Sequence, residues 1–76
     1  MMDKIKEIIA QYTEIDLNKI SEDTQLKTDL GLNSLAMMNI VVELEDAFGV
    51  EIDESTAMEF VTVGDVLAYL NKNGVH

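Results

Sequence analysis

The stretch "DLGLNSLAMMNIVVELEDAFG", residues 29–49, decides how this chain folds. Projected at about 100° per residue, residues 34–48 place Met37, Ile40, Val41, Leu44 and Phe48 on one face, with Ala47 at its edge. That stripe suffices for a core, so the segment reads as an amphipathic helix, and Gly49 suits a left-handed C-terminal cap. Asn and Ser are both preferred N-cap residues, so Asn33 or Ser34 opens the helix. A second apolar stripe, Leu35, Met38 and Val42, lies nearly opposite the first, beside Asn39, Glu45 and Asp46. It has two readings. Either the helix is buried on both sides beneath a neighbouring loop, or the stripe is a recognition surface, an apolar strip rimmed by carboxylates and suited to a basic-rimmed partner. Ser34 falls in the same sector, within about 40° of Met38 and Glu45 on this projection.

Before this helix, Ile5, Ile8, Ile9 and Tyr12 recur at one-face helical spacing, and Asp3 is placed to cap the start of that first helix. From Thr13 to Asn33 the periodicity dissolves. Apolar residues are isolated there (Ile15, Leu17, Ile20, Leu26, Leu30, Leu32), which reads as a long loop pinned to the core by them, with room for a short helical turn. After Gly49, "VEIDEST" supplies a turn and Ser55–Phe60 a short third helix. Thr62 and Asp65 resemble a capping box that opens a last helix, with Val63, Val66, Leu67 and Leu70 at apolar spacing and Asn73-Gly74 at its end. There is no Pro and no period-two run. The expected fold is an all-α small helical bundle of three main helices plus a short one, with the long loop between the first two. The chain begins at Met1 and ends soon after its last periodic segment, so residues 1–76 read as one free-standing domain.

The formal net charge is −10, from 15 acidic and 5 basic residues, all of the latter Lys. A nucleic-acid binder that tracks phosphates needs the opposite sign, so that class is set aside. Residues 28–71 contain nine carboxylates and no Lys or Arg, a surface that keeps a small protein in solution and also attracts basic partners. No apolar run approaches the roughly 20 residues of a membrane span, and "MMDKIKEIIAQY" alternates charged and apolar residues where a signal peptide would be apolar. The expectation is a cytoplasmic monomer.

Ser34 has no catalytic base within the pattern. The single His is His76 at the end of the chain, there is no Cys, and no Ser-His-Asp or Ser-x-x-Lys arrangement can be assembled. The unshielded Asp and Glu residues are poor general acids at neutral pH. The nearest approach to a calcium loop, "DLNKISEDTQLK" at residues 16–27, has Ile20 at its fifth position, Ser21 where Gly is required and Lys27 at its last, so no metal site is expected. The chain is therefore not expected to be an enzyme.

Asp29-Leu30-Gly31-Leu32-Asn33-Ser34-Leu35, the helix that follows and "LEDAFGVEI" (44–52), with the leading helix, the loop and "TVGDVLAYL", resemble the acyl carrier protein family over nearly the whole chain. The resemblance implies that Ser34 receives 4′-phosphopantetheine from coenzyme A through a phosphodiester made by a phosphopantetheinyl transferase. It implies that the arm's thiol carries acyl groups as thioesters, and that the second helix docks acyl-loading and acyl-processing enzymes with basic patches. The matching docking positions are Leu35, Met38, Val42, Glu43, Glu45 and Asp46. Asn33 stands where the family usually has Asp, and Ala36 and Asn39 where carriers of fatty acid synthesis commonly have acids. The resemblance is thus compatible with fatty acid synthesis or with a specialised, dedicated acyl pathway. Two alternatives stay open: an aminoacyl or peptidyl carrier loaded by an adenylating enzyme, and an unmodified acidic helical adaptor.

Overall fold

The computed structural model describes residues 2–74 and contains four α-helices and a 3₁₀ turn: α1 (Met2–Ala10), the turn Leu17–Lys19, α2 (Ser34–Phe48), α3 (Glu54–Met58) and α4 (Val63–Lys72). No strand occurs among the described residues. α1 and α3 both pack on α2, and the buried residues of all four helices join one core within an envelope of 29 × 22 × 19 Å.

The first helix buries Ile5, Ile8 and Ile9 as their spacing requires, but it ends at Ala10. Tyr12 lies in the turn beyond, half-buried, with its N–H donating to Ile9 O at 2.9 Å. Asp3 lies inside the first turn because the helix already begins at Met2, so it favours the helix through the N-terminal dipole instead of capping it. In α2 the buried residues are Met37, Ile40, Val41 and Leu44, and Phe48 is half-buried against the core. Gly49 stops the helix with φ 65°, where a side chain would strain the backbone, and its N–H donates to Glu45 O at 2.9 Å.

The short helix runs from Glu54 to Met58 where the pattern suggested Ser55–Phe60. Asp53 caps it, accepting from Thr56 N at 2.8 Å, which starts the helix earlier, while Phe60 lies past its end. Phe60 is buried and meets Tyr69 of α4 edge-on, with ring centroids 5.8 Å apart. In α4, Val63, Val66 and Leu70 are buried, and Leu67 is only partly covered.

The long loop is folded onto the core by two means. Ile20, Leu26, Leu30 and Leu32 are buried, whereas Ile15 and Leu17 stay exposed and do not anchor it. The second means is backbone pairing with the residues before α4. Leu26 N donates to Val61 O at 2.8 Å, Val63 N to Thr24 O at 3.0 Å and Gly64 N to Glu22 O at 2.8 Å, around one antiparallel bridge between Gln25 and Thr62. A Cβ at Gly64 would stand 3.0 Å from Glu22 O, so glycine allows this close approach.

The capping box at α4 is complete. Thr62 Oγ1 accepts from Asp65 N at 3.2 Å, and Asp65 Oδ2 accepts from Val61 N at 2.9 Å and Thr62 N at 3.0 Å. The backbone N–H groups of Thr62 and Val61 hold the Asp65 carboxyl below the usual Asp range. A carboxyl depressed in the folded state stabilises the fold at pH values above its unfolded value of about 3.9, and that contribution is lost as pH falls through the lower folded value. Urea melts taken from about pH 7 down to about pH 3 should show Asp65→Asn less stable than the parent at the upper end, by about 0.3–1 kcal/mol as for an exposed charge at a helix N-terminus, with the gap closing below about pH 4. A gap independent of pH would show that the carboxylate charge plays no part.

Candidate functional site

The segment leading into α2 is a sequence of local devices that deliver Ser34. Asp29 Oδ2 accepts from Gln25 N at 2.8 Å, Asp29 N donates to Gln25 O at 3.0 Å, and Thr28 Oγ1 donates to Gln25 Oε1 at 2.8 Å, so residues 25–29 close into a tight turn. Leu30 and Leu32 are buried on either side of Gly31, whose φ of 68° turns the chain between them. Thr13 Oγ1 donates to Leu30 O at 3.1 Å and ties the two ends of the loop together. Asn33 then takes the capping role, its Oδ1 accepting from Ala36 N at 2.8 Å. Ser34, the first residue of α2, is exposed and relieved of that duty.

Three serines occur in the chain, and they differ in how their hydroxyls are used. Ser21 Oγ lies 3.3 Å from Thr24 Oγ1, and Ser55 Oγ donates to Asp53 Oδ1 at 3.1 Å. Ser34 stands at the start of a fifteen-residue helix, where free first-turn amides and the helix dipole favour an anion by roughly 0.3–1 kcal/mol at an exposed site.

The second stripe of α2 is not buried. Leu35 is 71% exposed, Val42 51% and Met38 39%, so the reading in which the loop covers this face does not hold. The loop instead packs toward the residues preceding α4. Across from the stripe, Met58 is 71% and Val61 57% exposed, which extends the apolar surface onto α3 and the segment after it. The pattern of a five-residue helix is too short to reveal that placement.

The carboxylates assigned to the docking rim are used unequally. Glu43 is half-buried and accepts a hydrogen bond from the Tyr12 hydroxyl; this bond, and the charge behind it, raise the Tyr12 pKa above the ordinary phenol value. Glu43 is thereby turned toward the end of α1, away from Leu35 and Val42. Glu45 is half-buried and accepts from Ile52 N at 2.9 Å, bracing the turn after α2. Asp46 is exposed.

A cleft of about 170 Å³ opens between α2 and α3, lined by Ser34, Met37, Met38, Ala57 and Met58, with Lys27 and Glu54 also on its wall. A wider depression of about 580 Å³ lies elsewhere, between residues 11–15 and 28–31, but its lining is mainly polar and it does not reach Ser34. The cleft beside Ser34 has a mainly apolar lining, as does a neighbouring depression of about 210 Å³ around Met58, Phe60 and Val61, whose wall Lys27 also joins; of the two, only the first includes Ser34. Lys27 was not singled out by pattern, although it is the one cation between residues 20 and 71. No group of acidic or imidazole side chains suited to a metal occurs among the described residues, and His76 lies outside them.

Ser34 is thus an exposed hydroxyl at the start of a helix, on the wall of a mainly apolar cleft. A family model described as a phosphopantetheine attachment site matches residues 3–70, and the chain belongs to the acyl carrier protein family. Among solved structures it is similar to the acyl carrier protein of Enterococcus faecalis, with 33% identity, a TM-score of 0.84, and coverage of 96% of this chain and 92% of that one. It is also similar to a Mycobacterium tuberculosis protein assigned as an acyl carrier protein, with 32% identity, a TM-score of 0.83 and coverage of 95% and 97%. The family holds 4′-phosphopantetheine covalently on a serine, and its members are carriers, not enzymes. No helix among the described residues is long and apolar enough to cross a membrane.

Proposed function

We propose that Ser34 is the attachment serine and that the chain is a single-domain cytoplasmic acyl carrier, serving fatty acid synthesis or a dedicated acyl pathway. The observation that carries this reading is the division of labour at the start of α2: Asn33 caps the helix and leaves Ser34 exposed beside the cleft. A phosphopantetheinyl transferase supplies the activation. The Ser34 oxygen loses its proton and bonds to phosphorus, the diphosphate linkage of coenzyme A breaks, and the nucleotide leaves. When bound, the arm supplies a thiol that holds the acyl group as a thioester, so the chain needs no Cys of its own.

The cleft supports an acyl cargo over an aminoacyl one. Met37, Met38, Met58 and Ala57 give it an adaptable apolar wall, and a dry cavity near 150 Å³ accepts a benzene-sized group, so about 170 Å³ suits a short acyl chain of comparable bulk. Loading by an acyl ligase, tested against loading by an amino-acid adenylating enzyme, separates the two carrier types; efficient loading by the second alone overturns the acyl reading. Intact-mass measurement after incubation with coenzyme A and a broad-specificity transferase tests the carrier reading itself. An adaptor would gain no mass.

Partner enzymes dock on Leu35, Met38 and Val42 of α2, with Asp46 and the free edge of Glu45 as the acidic rim; Glu43, turned toward the Tyr12 hydroxyl, borders that rim. Truncating a well-buried interface anchor costs more than about 1 kcal/mol. Leu35→Ala should therefore raise the KM for the transferase about tenfold, equivalent to about 1.4 kcal/mol, with kcat nearly unchanged. Glu7→Gln, on the exposed face of α1, should leave KM as it is. Equal KM values for the parent and Leu35→Ala would remove the stripe from the docking surface.

A further inference from the structure

Lys27 is the chain's only cation between residues 20 and 71, a span otherwise rich in carboxylates, and it lines the same cleft as Ser34. Its backbone is well placed: the preceding Leu26 is 1% exposed with its N–H on Val61 O, and the turn over residues 25–29 is closed by Asp29 and Thr28. The exposed side chain therefore starts from a fixed point on the cleft wall. Glu54, on the same wall, would by itself repel an anion attached at Ser34. A lysine here offsets that repulsion.

We propose that Lys27 is a positioning residue for the arm, its ammonium pairing with the phosphodiester where the arm leaves Ser34. The inference rests on the carrier reading and adds a partner for the phosphate within this chain. The phosphodiester brings a permanent negative charge to a protein of net charge −10, and Lys27 is the lysine that the fold brings to that place. The pairing holds the arm at the mouth of the cleft, and a basic partner competing for the same phosphate releases it.

The test uses the parent, Lys27→Gln, Lys27→Arg and Lys19→Gln in both unmodified and phosphopantetheinylated forms, each confirmed by intact mass. With lysine Nζ labelled, the Lys27 resonance should shift on modification, and those of the other lysines should not. The ³¹P resonance of modified Lys27→Gln should be displaced from the parent's at about 0.01 M salt, and the displacement should vanish near 1 M, as the screening length contracts from about 30 Å to about 3 Å. Lys27→Arg should keep the parent's position, as should Lys19→Gln, whose substituted side chain lies on the 3₁₀ turn. An unmoved Lys27 resonance, or a ³¹P signal equal in the parent and Lys27→Gln, overturns the proposal. So does a Lys27 signal that responds in the unmodified protein to Glu54→Gln but not to modification. Absence of any mass gain on the parent overturns the carrier reading instead, so the two failures are distinct.

Discussion

Ser34→Ala is expected to abolish the mass gain expected of the parent with coenzyme A and a transferase, while leaving the fold intact. The change removes one exposed oxygen at the first position of α2, where the cap is made by Asn33, so the stability cost should stay within about 0.5 kcal/mol. Circular dichroism and urea melts should therefore coincide with the parent's. Ser21→Ala and Ser55→Ala should retain the full mass gain, because those hydroxyls lie against Thr24 and Asp53 and neither borders the cleft. A mass gain that persists in Ser34→Ala places the arm elsewhere. Loss of modification with concurrent unfolding would be diagnosed by the melts, and Ser34→Thr, which keeps a hydroxyl at the same helix position, gives an independent folded variant.

The second large effect concerns stability and lies in the loop. Leu26→Ala removes a side chain that is 1% exposed and is expected to cost about 2–5 kcal/mol, the range for truncating a buried leucine. A chain of this size is stabilised by roughly 4–11 kcal/mol at about 0.05–0.15 kcal/mol per residue, so the loss is a large fraction of the total and the urea midpoint should fall steeply. Leu17→Ala makes the same chemical change at a position 37% exposed, and its cost should be well under that of Leu26→Ala. Urea melts of the two variants compare them directly. Similar small losses would mean that the loop is not part of the cooperative unit. Because Leu26 also precedes Lys27 and follows Gln25, whose turn Asp29 closes, loosening it should slow transferase modification of whatever folded fraction remains.

Much of the helical content was legible because it depends on local periodicity. The core stripe of α2, the Gly49 stop and the Thr62–Asp65 box are short-range patterns, and each appears where the spacing put it. α1 ends at Ala10, before Tyr12, whose hydroxyl donates to Glu43, and α3 starts at Glu54 because Asp53 caps it. The loop was only half legible. Six apolar residues looked alike in sequence, yet four are buried and two are not, because burial there depends on which of them meets the other helices.

The same division runs through the site. Residues 29–49 determined a serine at the head of a twice-striped helix, and together with "LEDAFGVEI", the leading helix, the loop and "TVGDVLAYL" they carried the resemblance to a carrier. Tertiary structure alone decided that the second stripe faces outward, that α3 sets Met58 across from it to form a cleft, and that Lys27 stands on the cleft wall. The physical reason is range. Helical spacing and caps are set by groups within four residues of one another, whereas exposure of a face and the company of a serine depend on more distant segments, from the turn at Lys27 to α3 at Met58, whose docking is set by the total apolar surface they bury.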